Sequence, residues 1–202
     1  MAKNQITKYK SKLEIAREAN KSNKEQHRKK QRKEPVFLPG KYEPISNIKV
    51  GIGTDSHTFA DFMDPENLFR LGGVEIKDVC ILSNSDGDVI YHSLYNAISS
   101  AMGRSSIGKY YPNNPGPSRK FLEELKETMD KEGCSIVNIS IIIEGKKPKI
   151  LPIEDKIKKN IAEIFGISPE QIGITATTGE NLTNFGLGKG IFAESVVSLE
   201  KY

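Results

Sequence analysis

Tryptophan is missing from this chain, and aromatic residues make up only 7% of its 202 positions. A surface that grips single-stranded nucleic acid by stacking bases needs more aromatic faces than that. Cysteine occurs twice, at Cys80 and Cys134, without the spacing of metal ligands. The two read as buried thiols of a reducing compartment rather than as a disulfide. No apolar run reaches transmembrane length, and the first residues lack the short apolar segment of a secretory signal. Histidine is scarce too, at His27, His57 and His92 alone. No internal repeat is visible.

The net charge of +4 conceals an asymmetry. Residues 1–45 hold 13 Lys/Arg and 5 Asp/Glu, a balance of +8, while the remainder holds 17 and 21, a balance of −4. Residues 1–34 are polar, and Leu13, Ile15 and Ala16 cannot make a helical core stripe by themselves. The stretch reads as disordered or as a solvated helix, ending in the basic run Arg28-Lys29-Lys30-Gln31-Arg32-Lys33. Pro35, Pro39-Gly40 and Pro44 mark a linker. Two roles fit the arm, contact with a polyanion such as RNA, a ribosome or an acidic membrane, or simple solubilisation. Its five acidic residues speak against a transit peptide. The expected organisation is an arm and linker over 1–45 and one domain over 46–202.

The domain opens on an apolar run, Ile48–Ile52, that predicts a strand. A second strand fits 69–76, with Gly72-Gly73 allowing a bulge or a close backbone approach. Residues 86–102 predict a helix with Val89, Ile90, Leu94, Ala97 and Ile98 as its core stripe, stopped by Gly103. A Gly/Pro/Asn loop over 106–117 leads to a helix over 118–132. Val137-Asn138-Ile139-Ser140-Ile141 alternates as a half-buried strand and runs into Ile142-Ile143. A helix over 154–165 and strands over 173–178 and 191–199 complete the pattern.

Two short segments carry the chemistry. Asp55-Ser56-His57 follows the first strand, where residues two apart face the same way. His92 lies on the helix that opens at Ser85-Asp86-Gly87-Asp88, with Ser85 as a cap and Asp88 three residues on. One carboxylate and two imidazoles make three ligands of a tetrahedral zinc with its fourth position open. On spacing alone, a capped helix with one partly buried histidine is the alternative. Asp88, one turn before His92, either holds the imidazole tautomer or serves the helix N-terminus.

From about Lys49 onward the chain resembles the 2-C-methyl-D-erythritol 2,4-cyclodiphosphate synthase family of the non-mevalonate isoprenoid pathway. IGTDSHTF is followed in the family's order by LGGVEI, SDGDVIYH, SIGKYYP, KPKILP, TATTGENL and GLGKGI. The resemblance implies an α/β (α+β) subunit, a mixed four-stranded sheet packed by helices on one side, and a homotrimer with active sites between subunits. It implies cyclisation of 4-diphosphocytidyl-2-C-methyl-D-erythritol 2-phosphate with release of CMP, by attack of the 2-phosphate on the β-phosphorus. Asp55, His57 and His92 then hold zinc or another divalent transition metal, and Glu180 holds magnesium or manganese between the phosphates. Thr177, Thr178 and Gly179 match the turn at the α-phosphate and cytidine, with Thr178 at a catalytic position. Gly145, Pro148, Lys149, Ile150 and Leu151 match the cytidine loop. Ser106, Ile107, Gly108, Tyr111 and Asn113 match the loop around the methylerythritol, and Ser85 a further substrate contact. The implied compartment is the cytoplasm, or a plastid-type organelle in a eukaryote.

The pattern breaks in places. The family's histidine before Ser-Asp-Gly-Asp is Asn84 here, which keeps a donor and loses positive charge. Its aspartates at 106 and 113 are Ser106 and Asn113, and its Gly-Arg-Gly-Glu-Gly is Gly186-Leu187-Gly188-Lys189-Gly190. An arginine and its glutamate change together there, so no orphan carboxylate remains. The metal and phosphate residues are intact, which suits an active enzyme. Two other readings stay open, a trimeric scaffold that binds polyanions through its basic arms, and a metal-dependent enzyme acting on a related cytidine diphosphate compound.

Overall fold

The computed structural model describes residues 46–62, 69–83, 85–112 and 116–202. The basic arm, Asn84 and Asn113 lie outside the described residues. Strand β1 is Ile48–Thr58, β2 Phe69–Leu71 and β3 Val74–Ile76, followed by helix α1 (Val89–Ala101) and the single turn α2 (Ile107–Tyr110). Helix α3 (Ser118–Lys131), β4 (Cys134–Glu144), α4 (Glu154–Phe165), β5 (Ile172–Thr177) and β6 (Gly190–Lys201) follow.

The main sheet runs β1-β6-β4-β5. Its β1–β6 and β6–β4 pairs are antiparallel, and β4–β5 is parallel, with α4 making the crossover that a parallel pair needs. This is the mixed four-stranded sheet that the family resemblance implies. Helices cover one face. Ile139, Ile141 and Ile143 of β4 and Val197 and Leu199 of β6 are buried with Leu94, Ile98, Leu122, Leu125, Ile157 and Ile161 from the helices. Cys80 and Cys134 are buried and form no disulfide. Among the described residues no helix is long and apolar enough to cross a membrane.

Glycines in β1 set how close α1 comes. A Cβ at Gly51 would stand 2.1 Å from the Ala97 carbonyl oxygen, and one at Gly53 would stand 2.3 Å from both Ala97 N and Ser93 O. Any side chain at either position would push the helix off the strand. Because strand residues alternate, Gly51, Gly53, Asp55 and His57 share one face. The face that admits α1 at its first half therefore carries the ligand-type side chains at its second.

Several boundaries differ from the sequence reading. Residues 69–76 are a hairpin, not one strand, because Gly72 and Gly73 take left-handed φ values of +56° and +75° and turn the chain. Helix α1 starts at Val89 rather than 86, since Gly87 at φ +66° interrupts any earlier turn. Ser85 is accordingly not its cap. The cap is Asp88, whose side chain accepts from Tyr91 N. The strand at 137 begins earlier, at Cys134, and a bulge between Ile136 and Asn138 turns Val137 outward. The β1 strand continues to Thr58, so Asp55 and His57 lie inside it rather than after it.

Candidate active site

Three side chains converge where the end of β1 meets the first turn of α1. His92 Nδ1 lies 3.0 Å and His57 Nε2 3.2 Å from the same oxygen, Asp55 Oδ2. One ligand-type atom from each residue lies within 4.8 Å of the others. The two rings stand edge to face, 6.0 Å between centres. His92 is buried, while Asp55 and His57 are half-buried and keep one side open. Burial alone would raise the Asp55 pKa, but the two imidazoles outweigh it and hold the carboxyl at about 2. For His92 burial works against the charged form, and the neighbouring Asp55 wins, raising its pKa.

The arrangement fits a divalent metal. His57 Nε2 is buried and makes no hydrogen bond, although a carboxylate oxygen is 3.2 Å away. A buried nitrogen left in that state is costly unless its lone pair has another use. Two imidazoles and one carboxylate around a common point are a donor set for zinc with an open fourth position. Glu180 is not part of this group.

Asp88 settles into one of the two roles the sequence left open. Its carboxylate accepts from Gly72 N (2.8 Å), Gly73 N (2.7 Å) and Tyr91 N (3.1 Å), so it caps α1 and ties the β2–β3 turn to it. Full burial pushes its pKa up to about 6 against those three bonds. The partner on the far side of the His92 ring is instead Ser118, whose Oγ is 2.9 Å from Nε2 and also bonds Asp86. Sequence reading passed over both Ser118 and Asp86. A serine after a proline at a helix start looks like any helix N-terminus, and only the tertiary fold brings it to the histidine.

Ser85 makes a local turn, its Oγ accepting from Gly87 N at 3.2 Å. The loop with Ser106, Ile107 and Gly108 is held by Asn96 of α1, which accepts from Ile107 N at 3.0 Å and donates to Thr54 O at 3.3 Å. Tyr111 packs on Tyr95 and Phe121 and donates its hydroxyl to Glu124.

A second group forms at the end of β5. Gly179 N donates to Thr177 Oγ1 (3.1 Å), and Thr178 Oγ1 donates to Glu180 Oε1 (3.3 Å). Glu180 and Asn181 have φ of +46° and +64°, a conformation rare for residues with side chains. Gly145 N donates to Thr177 O at 3.1 Å, which sets the loop of Pro148, Lys149, Ile150 and Leu151 beside this turn. Ile150 is buried, whereas Leu151 is exposed. The glycines of the 186–190 segment earn their places. A Cβ at Gly186 would stand 2.8 Å from Gly179 O, and one at Gly190 would stand 2.4 Å from His57 O. Leu187 and Lys189 between them are exposed.

A family model described as "YgbB family" matches residues 48–200. The chain is 35% identical over 160 residues to the 2-C-methyl-D-erythritol 2,4-cyclodiphosphate synthase of Aquifex aeolicus, covering 76% of this chain and 98% of that one. It is 32% identical over 171 residues to a bifunctional IspD/IspF enzyme of Aliarcobacter butzleri, covering 82% of this chain but 45% of that enzyme's length. Among solved structures, the Plasmodium falciparum IspF in complex with CDP matches with a TM-score of 0.70 at 36% identity, covering 77% of this chain and 97% of that one.

Proposed function

The chain belongs to the YgbB family, and on that premise we propose that it cyclises 4-diphosphocytidyl-2-C-methyl-D-erythritol 2-phosphate, releasing CMP. The observation that carries the proposal is the convergence of Asp55, His57 and His92 on one point, with His57 Nε2 buried and without a hydrogen bond. The 2-phosphate oxygen attacks the β-phosphorus, a new P–O bond forms, and the bond to the α-phosphate breaks so that CMP leaves. Such a reaction needs positioning and charge neutralisation more than covalent help. Asp55, His57 and His92 would hold a zinc-type ion and Glu180 magnesium or manganese, and the bound cations would polarise and neutralise the diphosphate.

The chain's own groups do the rest. Thr177, Thr178 and Gly179 offer hydroxyl and backbone donors at an exposed turn beside the Gly145–Leu151 loop, which suits a nucleotide read through backbone groups. Asn84 stands in sequence next to Ser85 and offers an amide donor where the family has an imidazole. The loop of Ser106, Ile107, Gly108 and Tyr111 takes the sugar-alcohol end, with Asn113 close in sequence.

The assembly is a homotrimer with its sites between subunits. The sheet face away from the helices exposes Ile48, Val50 and Ile52 of β1 and Ile142 of β4, an apolar surface suited to other copies of the chain. Incubation of the metal-loaded protein with the substrate, following CMP and phosphorus NMR, tests the reaction. Equal amounts of CMP and cyclic diphosphate are expected. Nucleotide binding without turnover would favour the scaffold reading and direct attention to the basic arm.

A further inference from the structure

The support for His92 comes from elements that carry none of the ligands. Ser118 opens α3 and is buried, yet its hydroxyl does not cap its own helix, where Pro117 occupies the cap position. Its backbone N donates to Asp86 Oδ2 at 3.0 Å, and its Oγ donates to Asp86 Oδ1. The same Oγ lies 2.9 Å from His92 Nε2. Asp86 is itself pinned by its main chain, whose carbonyl accepts from Arg70 N at 3.0 Å.

We propose that Ser118 and Asp86 are positioning residues that fix the tautomer of His92, a reading that rests on the metal site proposed above. A carboxylate offers only acceptors, so the single hydroxyl proton of Ser118 belongs to the bond with Asp86. The serine oxygen is then left to accept, and His92 Nε2 must carry the proton that it accepts. The other nitrogen, Nδ1, is the atom 3.0 Å from Asp55 Oδ2 and the one facing the ligand group. It donates to that carboxylate in the metal-free protein and gives up its proton where a metal binds, with Nε2 keeping its own. A hydrogen bond on the far ring nitrogen both orients a ligating histidine and raises its basicity. The chain Asp86–Ser118–His92 places that function across α1 and α3, so the packing of two helices sets the aim of one ligand.

Two readouts test this, neither of them turnover. The first is the ring nitrogen NMR of the zinc-loaded wild type, labelled at histidine. His92 is expected with a protonated Nε2 and with Nδ1 shifted by the metal. A metal-shifted Nε2 or a protonated Nδ1 overturns the proposal, and this readout needs no variant to fold. The second is the affinity for zinc and for cobalt in competition with a chromophoric chelator, comparing wild type with Ser118→Ala. A loss of about 10- to 100-fold is expected for the variant. Unchanged affinity in a folded Ser118→Ala protein overturns the positioning role while leaving the metal site standing. A wild type that binds neither metal overturns the metal reading itself.

Discussion

The two groups of candidate site residues are built on opposite terms. The donor group at β1 and α1 is assembled inside one chain, on regular secondary structure, with side chains half-buried or buried. The turn at residues 177–181 and much of the neighbouring loop are exposed, and two consecutive side-chain-bearing residues of the turn, Glu180 and Asn181, sit in left-handed backbone. Imidazoles and carboxylates need fixed angles to converge on a point, and a strand facing a closely packed helix provides them. A turn that offers backbone and hydroxyl donors to a nucleotide needs accessibility more than rigidity. Strain tolerated by a residue such as Glu180 costs about 1–2 kcal/mol, a cost that the role proposed for its side chain would explain.

The contrast can be broken at its strongest point first. His92→Ala should abolish metal retention and lower turnover by well over 100-fold, beyond what losing a mere supporting partner costs. Metal analysis and CMP release check both, and a variant that keeps its metal and its rate would remove the rigid half from the account. Next is the packing that makes the rigid half possible. Gly53→Ala, which forces a Cβ to 2.3 Å from backbone atoms of α1, should destabilise the protein by about 3 kcal/mol or more. Gly103→Ala, with nothing within 4 Å but a φ of +70°, should cost only about 1–2 kcal/mol. Denaturant titrations of the two variants side by side separate steric exclusion from backbone strain.

Stability should also depend on pH in two opposed ways. The Asp55 carboxyl is held at about 2 in the fold against its ordinary 3.8. Its contribution is present above the ordinary value and is lost as pH falls through about 2. Asp88 is raised to about 6. Its contribution is present below the ordinary value and is lost as pH rises through about 6. The metal-free protein should therefore be most stable near about pH 4 as far as these two groups are concerned. Chemical denaturation at acidic, mildly acidic and neutral pH measures the curve, and Asp88→Asn should flatten its neutral limb. The smallest effect belongs to the exposed half. Glu180→Gly relieves the left-handed strain, so stability should hold or rise by up to about 1 kcal/mol while turnover falls. A stability loss there would show that the turn is not strained as described.

Much of this was legible in the residues. The alternation Gly51, Gly53, Asp55, His57 and the spacing of the α1 stripe are local signals, and α1, α3 and α4 follow their periodicity. Errors came where a few residues changed the backbone's sense. Residues 69–76 read as one strand and are a hairpin turned at Gly72-Gly73, where the close approach that the two glycines suggested is present, Gly87 delays α1, and an extra residue in β4 reverses Val137. Ser118 was invisible for a different reason. Its partners are 32 and 26 residues away, and nothing in its immediate sequence distinguishes a serine that aims a histidine from one that begins a helix. The turn at Glu180 was found through the family resemblance, since Thr-Thr-Gly-Glu alone gives no hint of left-handed backbone.

The most direct test of the central claim is anomalous diffraction from crystals grown with zinc. The account predicts one strong peak per chain at bonding distance, roughly 2.0–2.2 Å, from Asp55, His57 and His92 together, with Nδ1 as the atom of His92. A peak elsewhere, or none at these three residues in a zinc-loaded crystal, would contradict it.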